Sequence, residues 1–302
     1  MSSAAAPPTP VSTAAASTLP AVAMMVLALS VLPVSDSIGK YLTATVPVLQ
    51  VVWARYFFHL VVVTPVALAG HGRRALSPRV AARQMIRGVF LVLSSLSFFF
   101  GLRFLPLADS VAVLFVAPLI VTALAPFVLG ERVGWRRYAA VAVGFVGALV
   151  IIRPGGGAAG WHALFPLGAG FCYAGYLLAT RKLAGSAPPM VTLAYTAVTG
   201  AVLLSALMPF VWRWPSPWEL ALMASMGPIA ASGHYLLIRA HERAPASLLA
   251  PFSYWQIVTT AAIGYVLFGD FPDRWTWAGA AILVASGIYV WLRERKLGAR
   301  RG

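Results

Sequence analysis

Apolar residues run in long stretches separated by short polar or basic connections. The stretches cover residues 20–39, 47–69, 85–104, 106–128, 135–152, 161–181, 190–212, 218–239, 245–268 and 275–292. A helix needs about 20 apolar residues to cross a bilayer, so each stretch is predicted to be a spanning helix. The shortness of several connections predicts tight helical hairpins. Between residues 85 and 128 only Arg103 and Pro106 mark a turn.

The pattern occurs twice. Pro106-Leu107-Ala108 through Gly130-Glu131 recurs 139 residues later as Pro245-Ala246-Ser247 through Gly269-Asp270. Pro47 recurs as Pro189 and Lys40 as Lys182, both 142 residues on. Each copy holds five apolar stretches, and an odd number of spans turns the second copy over. The expectation is an all-α integral membrane protein with ten transmembrane helices in two inverted five-helix repeats, residues 20–152 and 161–292. Such repeats place a solute site near the bilayer midplane, between the halves. Residues 153–160 read as a linker, and its run Gly155-Gly156-Gly157 is no phosphate loop because no Lys-Ser/Thr follows. Residues 1–19 carry no charge and read as a disordered tail; they lack the basic start of a secretory signal. Residues 293–302 read as a basic tail.

Composition agrees. Charged residues make up 10% of the chain and hydrophobic ones 60%, whereas a soluble domain carries about 25% charged residues. The single cysteine, Cys172, excludes an internal disulfide and a cysteine metal site. The formal net charge of +15 is distributed unevenly. With the N-terminus in the cytoplasm, the cytoplasmic connections and tail hold 17 of the 23 Lys and Arg residues, among them Arg73, Arg74, Arg79, Arg83 and Arg87. The opposite side holds Lys40, Arg103, Arg153, Arg213 and Arg274, and Arg55 alone lies within a span. The positive-inside rule then puts both termini in the cytoplasm. The charge is thus an orientation signal, strengthened by anionic lipid, and nucleic acid is not expected as a partner.

Ionisable groups inside spans are functional candidates. Arg55 lies eight residues into the second stretch, about 12 Å deep. Two roles are open to it: contact with an anionic or carbonyl group of a solute, or a structural pairing with Asp36 or helix-end carbonyls. Asp36 stands four residues before Lys40, where a local ion pair is favoured; the sharper alternative makes it a cation or proton site coupled to Arg55. Pro33 is positioned to kink that helix and free carbonyls. His59 shares a face with Arg55, and His234 lies in the eighth stretch; an unperturbed imidazole changes charge between about pH 5 and 8. Asp36, His59 and His234 are therefore the proton-coupling candidates. Trp53, Tyr173, Tyr176, Tyr195, Tyr254 and Trp255 lie within stretches and suit a planar or amphipathic solute. The bland reading of each aromatic is packing. Gln50 and Gln256 add hydrogen-bonding capacity, Gln50 near a membrane surface. Trp212, Trp214, Trp218, Trp275, Trp277 and Trp291 flank span ends as interfacial anchors. Ala140, Gly144, Ala148, Ala281 and Ala285 form small-residue stripes for close helix packing. No histidines or carboxylates share a helix at metal-ligand spacing, and no metal or other cofactor is expected.

Asp36-Ser37-Ile38-Gly39-Lys40-Tyr41-Leu42, then Pro47, then Trp53-Ala54-Arg55-Tyr56-Phe57-Phe58 resembles the opening of EamA-type members of the drug/metabolite transporter superfamily. Leu105-Pro106-Leu107-Ala108 through Pro118 to Gly130-Glu131-Arg132 resembles the same family, as does Ala244-Pro245-Ala246-Ser247 to Gly269-Asp270. The resemblance covers residues 20–292. It implies a ten-helix fold with a central cavity and secondary transport of a small organic solute across the bacterial inner membrane. Amino acids, amines, riboflavin-like vitamins and S-adenosylmethionine-like solutes are all within its range. Two departures stand out: Asp270 replaces the usual Glu, and Ala197 stands at the repeat position of Arg55. A lipid-modifying membrane enzyme is the alternative, and it lacks a catalytic constellation. A non-transporting membrane partner subunit is another, and a second copy of the chain is a further candidate partner.

Overall fold

Proline and glycine set where the helices begin and end. The computed structural model describes residues 18–72, 78–130, 134–153, 160–183, 186–244 and 246–298. Among them are thirteen α-helices and no strand. They are α1 (Thr18–Leu42), α2 (Val48–His71), α3 (Pro78–Leu102), α4 (Leu107–Leu114), α5 (Ala117–Leu129), α6 (Trp135–Ile152), α7 (Leu164–Lys182), α8 (Pro189–Ser205), α9 (Met208–Val211), α10 (Pro217–Arg243), α11 (Ala246–Leu249), α12 (Trp255–Phe268) and α13 (Arg274–Gly298). Eight helical stretches are long and apolar enough to span a membrane, α4 and α5 counting as one. The seventh and ninth predicted spans are shorter, Pro189–Ser205 and Phe252–Phe268. The predicted tail at 293–302 is helical as far as Gly298. Residues 1–17, most of the linker with its glycine run, and 299–302 lie outside the described residues.

The two halves share their punctuation. Pro47 caps α2 at φ −53°, ψ 135°, and Pro188 caps α8 at φ −58°, ψ 149°. Each carbonyl takes the first helical bond, from Val51 and Thr192 respectively, both at 3.0 Å. The structural counterpart of Pro47 is therefore Pro188, one residue before Pro189. In that register Thr196, not Ala197, stands where Arg55 stands. Gly130 and Gly269 end α5 and α12 in the same left-handed conformation, φ 70° in both, which a side chain would strain.

Two predicted spans are broken at matched places. Leu107–Leu129 parts at Phe115-Val116, and residues 246–268 pass through a 3₁₀ segment at Ala250–Tyr254. Phe115 and Tyr254 sit 139 residues apart in the chain, and their ring centroids lie 5.5 Å apart. The breaks thus face each other.

Helix pairing is symmetric under exchange of the halves. α1 packs on α10 and α7 on α3; α2 packs on α10 and α8 on α3; α1 packs on α12 and α7 on α5. The pairs α2–α8 and α6–α13 map onto themselves. Proline contributes a specific tie. α1 runs through Pro33, which has no N–H, so the Leu29 carbonyl loses its helical donor. The Thr259 hydroxyl on α12 donates to that carbonyl at 2.8 Å.

α6 and α13 meet backbone to backbone. A Cβ on Gly147 would fall 2.8 Å from the Gly279 carbonyl, and one on Gly279 would collide with Gly147 and Ile151. The Ser286 hydroxyl donates to the Ala140 carbonyl across this seam. Ala140, Gly144 and Ala148 are buried as expected, but Ala281 and Ala285 are exposed. On α13 the contact stripe is Gly279, Leu283 and Ser286, one turn-phase away from the alanines. Gly279→Leu is expected to destabilise the protein by about 1–3 kcal/mol through overpacking, while Ala281→Leu leaves stability unchanged. Thermal melts of both variants in detergent check this, and equal melting temperatures would remove the seam's importance.

Candidate functional site

Three helices converge on the first charged group. Gly227 lets the α10 backbone lie against α2; a Cβ there would stand 2.6 Å from that of Phe58 and closer still to the peptide of His59. The Ser35 hydroxyl ties α1 to the Met226 carbonyl of α10 at 3.1 Å. In this setting Arg55 donates to the Asp36 carboxylate at 2.5 Å, with side-chain exposures of 15% and 10%. The guanidinium also lies 5.6 Å from the Phe99 ring centroid. The local pairing of Asp36 with Lys40 is not formed. Lys40 instead reaches Asp270 at 2.7 Å and the Leu105 carbonyl at 3.0 Å. That contact gives the departure at Asp270 a role, since its carboxylate meets a lysine from the first half.

One turn further along α2, the rings of His59 and His234 stack with centroids 6.1 Å apart. His59 is buried, and its Nε2 has no hydrogen-bond partner. Tyr56 and Ser95 share a hydrogen bond of 2.9 Å between α2 and α3.

The second charged group is one that the hydropathy pattern assigns to a basic connection. Arg87 lies within α3 and is 1% exposed. It reaches only second-half helices. One terminal nitrogen stands 3.4 Å from the Tyr176 hydroxyl and 3.4 Å from the Thr180 hydroxyl. The other donates to the Thr192 carbonyl at 2.7 Å and to the Thr196 hydroxyl. The Tyr176 ring centroid is 5.0 Å from its carbon, and Tyr173 stacks on Tyr176 at 5.7 Å. The sequence signal for Arg87 was available: four residues after Arg83, it is followed by Gly88 and an unbroken apolar run.

The remaining aromatics disperse. Trp53 stacks on Phe57 at 4.8 Å, meets Trp212 edge-on, and donates to Ser205 at 2.8 Å, close to the far end of α8. Tyr195 packs with Val191, Ala81 and Ala187. Tyr254 stays at the helix break against Phe115. Trp255 is 41% exposed and donates to Ser30 on α1. Gln50 is buried and exchanges two hydrogen bonds with the Arg213 backbone, at 2.8 and 3.0 Å. The structure therefore brings together Asp36, Arg55, His59, His234, Tyr173 and Tyr176, adds Arg87, and sets Trp53, Tyr195, Tyr254 and Trp255 apart.

The end carrying few basic residues is tied across helices. Besides Lys40–Asp270, Glu219 accepts from Thr45 at 2.6 Å and from Arg213 at 3.0 Å. Arg153 pairs with Asp273 at 2.7 Å, and Thr276 bonds both Asp273 and Asp109. At the basic end the ion pair Arg239–Glu242, among the described residues, stays within one helix.

The EamA-like transporter family model matches residues 15–153 and 160–292. The chain belongs to this family. It is a transporter of the membrane, not an enzyme. The S-adenosylmethionine uptake transporter of Rickettsia prowazekii is 27% identical over 263 residues, covering 87% of this chain and 89% of that protein. The riboflavin transporter of Vibrio cholerae is 27% identical over 271 residues, covering 88% and 90%. The pseudopaline exporter CntI of Pseudomonas aeruginosa is 26% identical, covering 88% and 94%. A solved crystal structure with 21% identity aligns over 94% of this chain and 99% of its own at a TM-score of 0.63, a likeness of fold.

The Asp36–Arg55 pair makes a stability prediction. Removing one partner of a buried pair strands the other's charge and costs about 3–5 kcal/mol, whereas an apolar replacement of both is near neutral. Asp36→Asn is expected to lower the melting temperature markedly, and Asp36→Leu with Arg55→Met to recover most of it. A double variant as unstable as the single would show that the pair's value is not electrostatic.

Proposed function

We propose that the protein is a secondary carrier of a small organic metabolite, working by alternating access in the bacterial inner membrane. Its spans form two inverted five-helix repeats, residues 20–152 and 161–292, with both termini cytoplasmic. The observation that carries this reading is the polar centre at the seam of the halves. Arg87 of the first half is held only by α7 and α8 of the second, and Asp36–Arg55 is packed against α10. Charged groups in an apolar bundle are costly and mark solute or ion paths. Exchange symmetry in helix pairing, shared caps and matched helix breaks support the inverted repeat, because broken helices at corresponding positions are its usual mark. The excess of basic residues on one side supports the orientation.

In this mechanism the solute contacts Arg55, Tyr173, Tyr176 and His234. Asp36, His59 and His234 are the groups placed to take up a driving proton. The relatives named for S-adenosylmethionine and riboflavin make those two solutes the first to test. The cross-helix ties at the sparsely basic end form the closed outer gate, and they must part once per cycle.

The test is uptake into liposomes, with and without a proton gradient, from a panel of amino acids, riboflavin and S-adenosylmethionine. Saturable accumulation with counterflow is expected; their absence for folded protein across the panel counts for a non-transporting subunit. Two variants refine it. In a Cys172→Ser background, Lys40→Cys with Asp270→Cys joined by a short bis-thiol linker is expected to stop uptake, and cleavage of the linker to restore it. Unchanged uptake with the linker in place would show that this end does not open. Asp36→Leu with Arg55→Met is expected to fold without transporting, and normal uptake would remove the pair from the mechanism.

A further inference from the structure

We propose that Arg87 is the seat of a carboxylate carried by the transported solute. The inference rests on the carrier reading and narrows its substrate class to solutes bearing a carboxylate.

The argument starts from charge accounting. An arginine stays protonated in proteins, so Arg87 brings a positive charge to a place that is 1% exposed. Its partners are all neutral: the hydroxyls of Tyr176, Thr180 and Thr196 and the carbonyl of Thr192. Its Nε is buried without a partner. A buried guanidinium with no counter-charge is strongly unfavourable unless something completes it.

Among the described residues no carboxylate is left over for it. Of its eight acidic residues, Glu131 and Glu294 have side chains outside the described ones. The other six are engaged elsewhere. Asp36 holds Arg55, Asp270 holds Lys40, Asp273 holds Arg153, Glu219 holds Arg213, Glu242 holds Arg239, and Asp109 accepts from Thr276. Asp36 and Arg55 cancel one another, so the polar centre keeps the net positive charge of Arg87. The completing anion comes from outside the chain.

Geometry selects the anion. Two of the four described bonds, to Tyr176 and Thr180, are long at 3.4 Å. Both come from the same terminal nitrogen, so that nitrogen and the unpartnered Nε are the donors left for a further, charged acceptor. Tyr176, Thr180 and Thr192 around it are only partly buried. A single guanidinium matches the single charge of a carboxylate; a phosphate dianion would call on a second cation, and Arg55 is already neutralised.

The test uses ligand pairs that differ only in the carboxylate. Purified protein in nanodiscs is titrated with S-adenosylmethionine and its decarboxylated counterpart, and with amino acids and their amides. The wild type is expected to bind the carboxylate member at least tenfold more tightly. Arg87→Gln is expected to abolish that ratio while leaving the affinity for the decarboxylated member within twofold. Equal affinities in the wild type, or an unchanged ratio in Arg87→Gln, overturn the proposal. The wild-type comparison needs no variant, so a folding defect in Arg87→Gln leaves the test standing. Saturable uptake of riboflavin, which has no carboxylate, combined with no preference in any pair, sinks the Arg87 role and keeps the carrier. Loss of all uptake and all binding sinks both.

Discussion

A guanidinium inside an apolar bundle keeps its charge, and the protein must meet it from within. No water is at hand in the hydrocarbon layer to do so. Arg55 is met by Asp36, and that requirement fixes how α1, α2 and α10 lie together. Gly39 and Gly227 are the positions where side chains are given up so that the helices close around the pair. A Cβ at Gly39 would stand 3.0 Å from the Met226 methyl and nearer still to the Phe99 ring. Arg87 is met differently, by oxygens of neutral groups on two helices of the other half. One arginine is balanced and the other is only solvated, and this difference gives the centre its positive sign.

The duplicated chain builds one frame and then decorates it unequally. Caps at Pro47 and Pro188, the left-handed glycines at 130 and 269, and the facing breaks at Phe115 and Tyr254 all belong to the frame. The decoration obeys no such rule. In the register set by the caps, the place of Arg55 is taken in the second half by Thr196, and Thr196 accepts a bond from Arg87. A symmetric scaffold thereby carries an asymmetric charge pattern, as recognition of an asymmetric solute requires.

Much of the frame was legible in the apolar pattern. Burial in lipid demands long uninterrupted runs, and the repeat of Gly-acid ends marks matching helix termini. What escaped were tertiary choices between equally good local options. Asp36 and Lys40 satisfy the i,i+4 rule, but Lys40 stands near the end of α1, within reach of Asp270 and the Leu105 carbonyl. Asp36 faces α2 instead. Arg87 was hidden among Arg73, Arg74, Arg79 and Arg83, because an arginine near a span end reads as a loop charge until its neighbours are known. Trp53 and Tyr195 misled for the opposite reason. An aromatic inside a span is legible, but the face it turns to is not, and these two turn to a helix end and a side cluster.

The distribution of ties bears on how such a bundle moves. Ties between separate helix ends gather at the sparsely basic end, through Lys40–Asp270, Arg153–Asp273 and Thr45–Glu219. Arg55 lies about 11 Å along α2 from that end, and Arg87 about 14 Å along α3 from the other. The two arginines thus lie at different depths along their helices. On the carrier reading the conformation is shut outward, and Arg87 belongs to the inner level. A solute entering from outside would meet the balanced pair first and the unbalanced arginine last. Its anionic end gains most at the inner level, where nothing else competes for the guanidinium. On the carrier reading, the stacked His59–His234 pair one turn from Arg55 is where movement of a proton is proposed to be linked to movement of the solute.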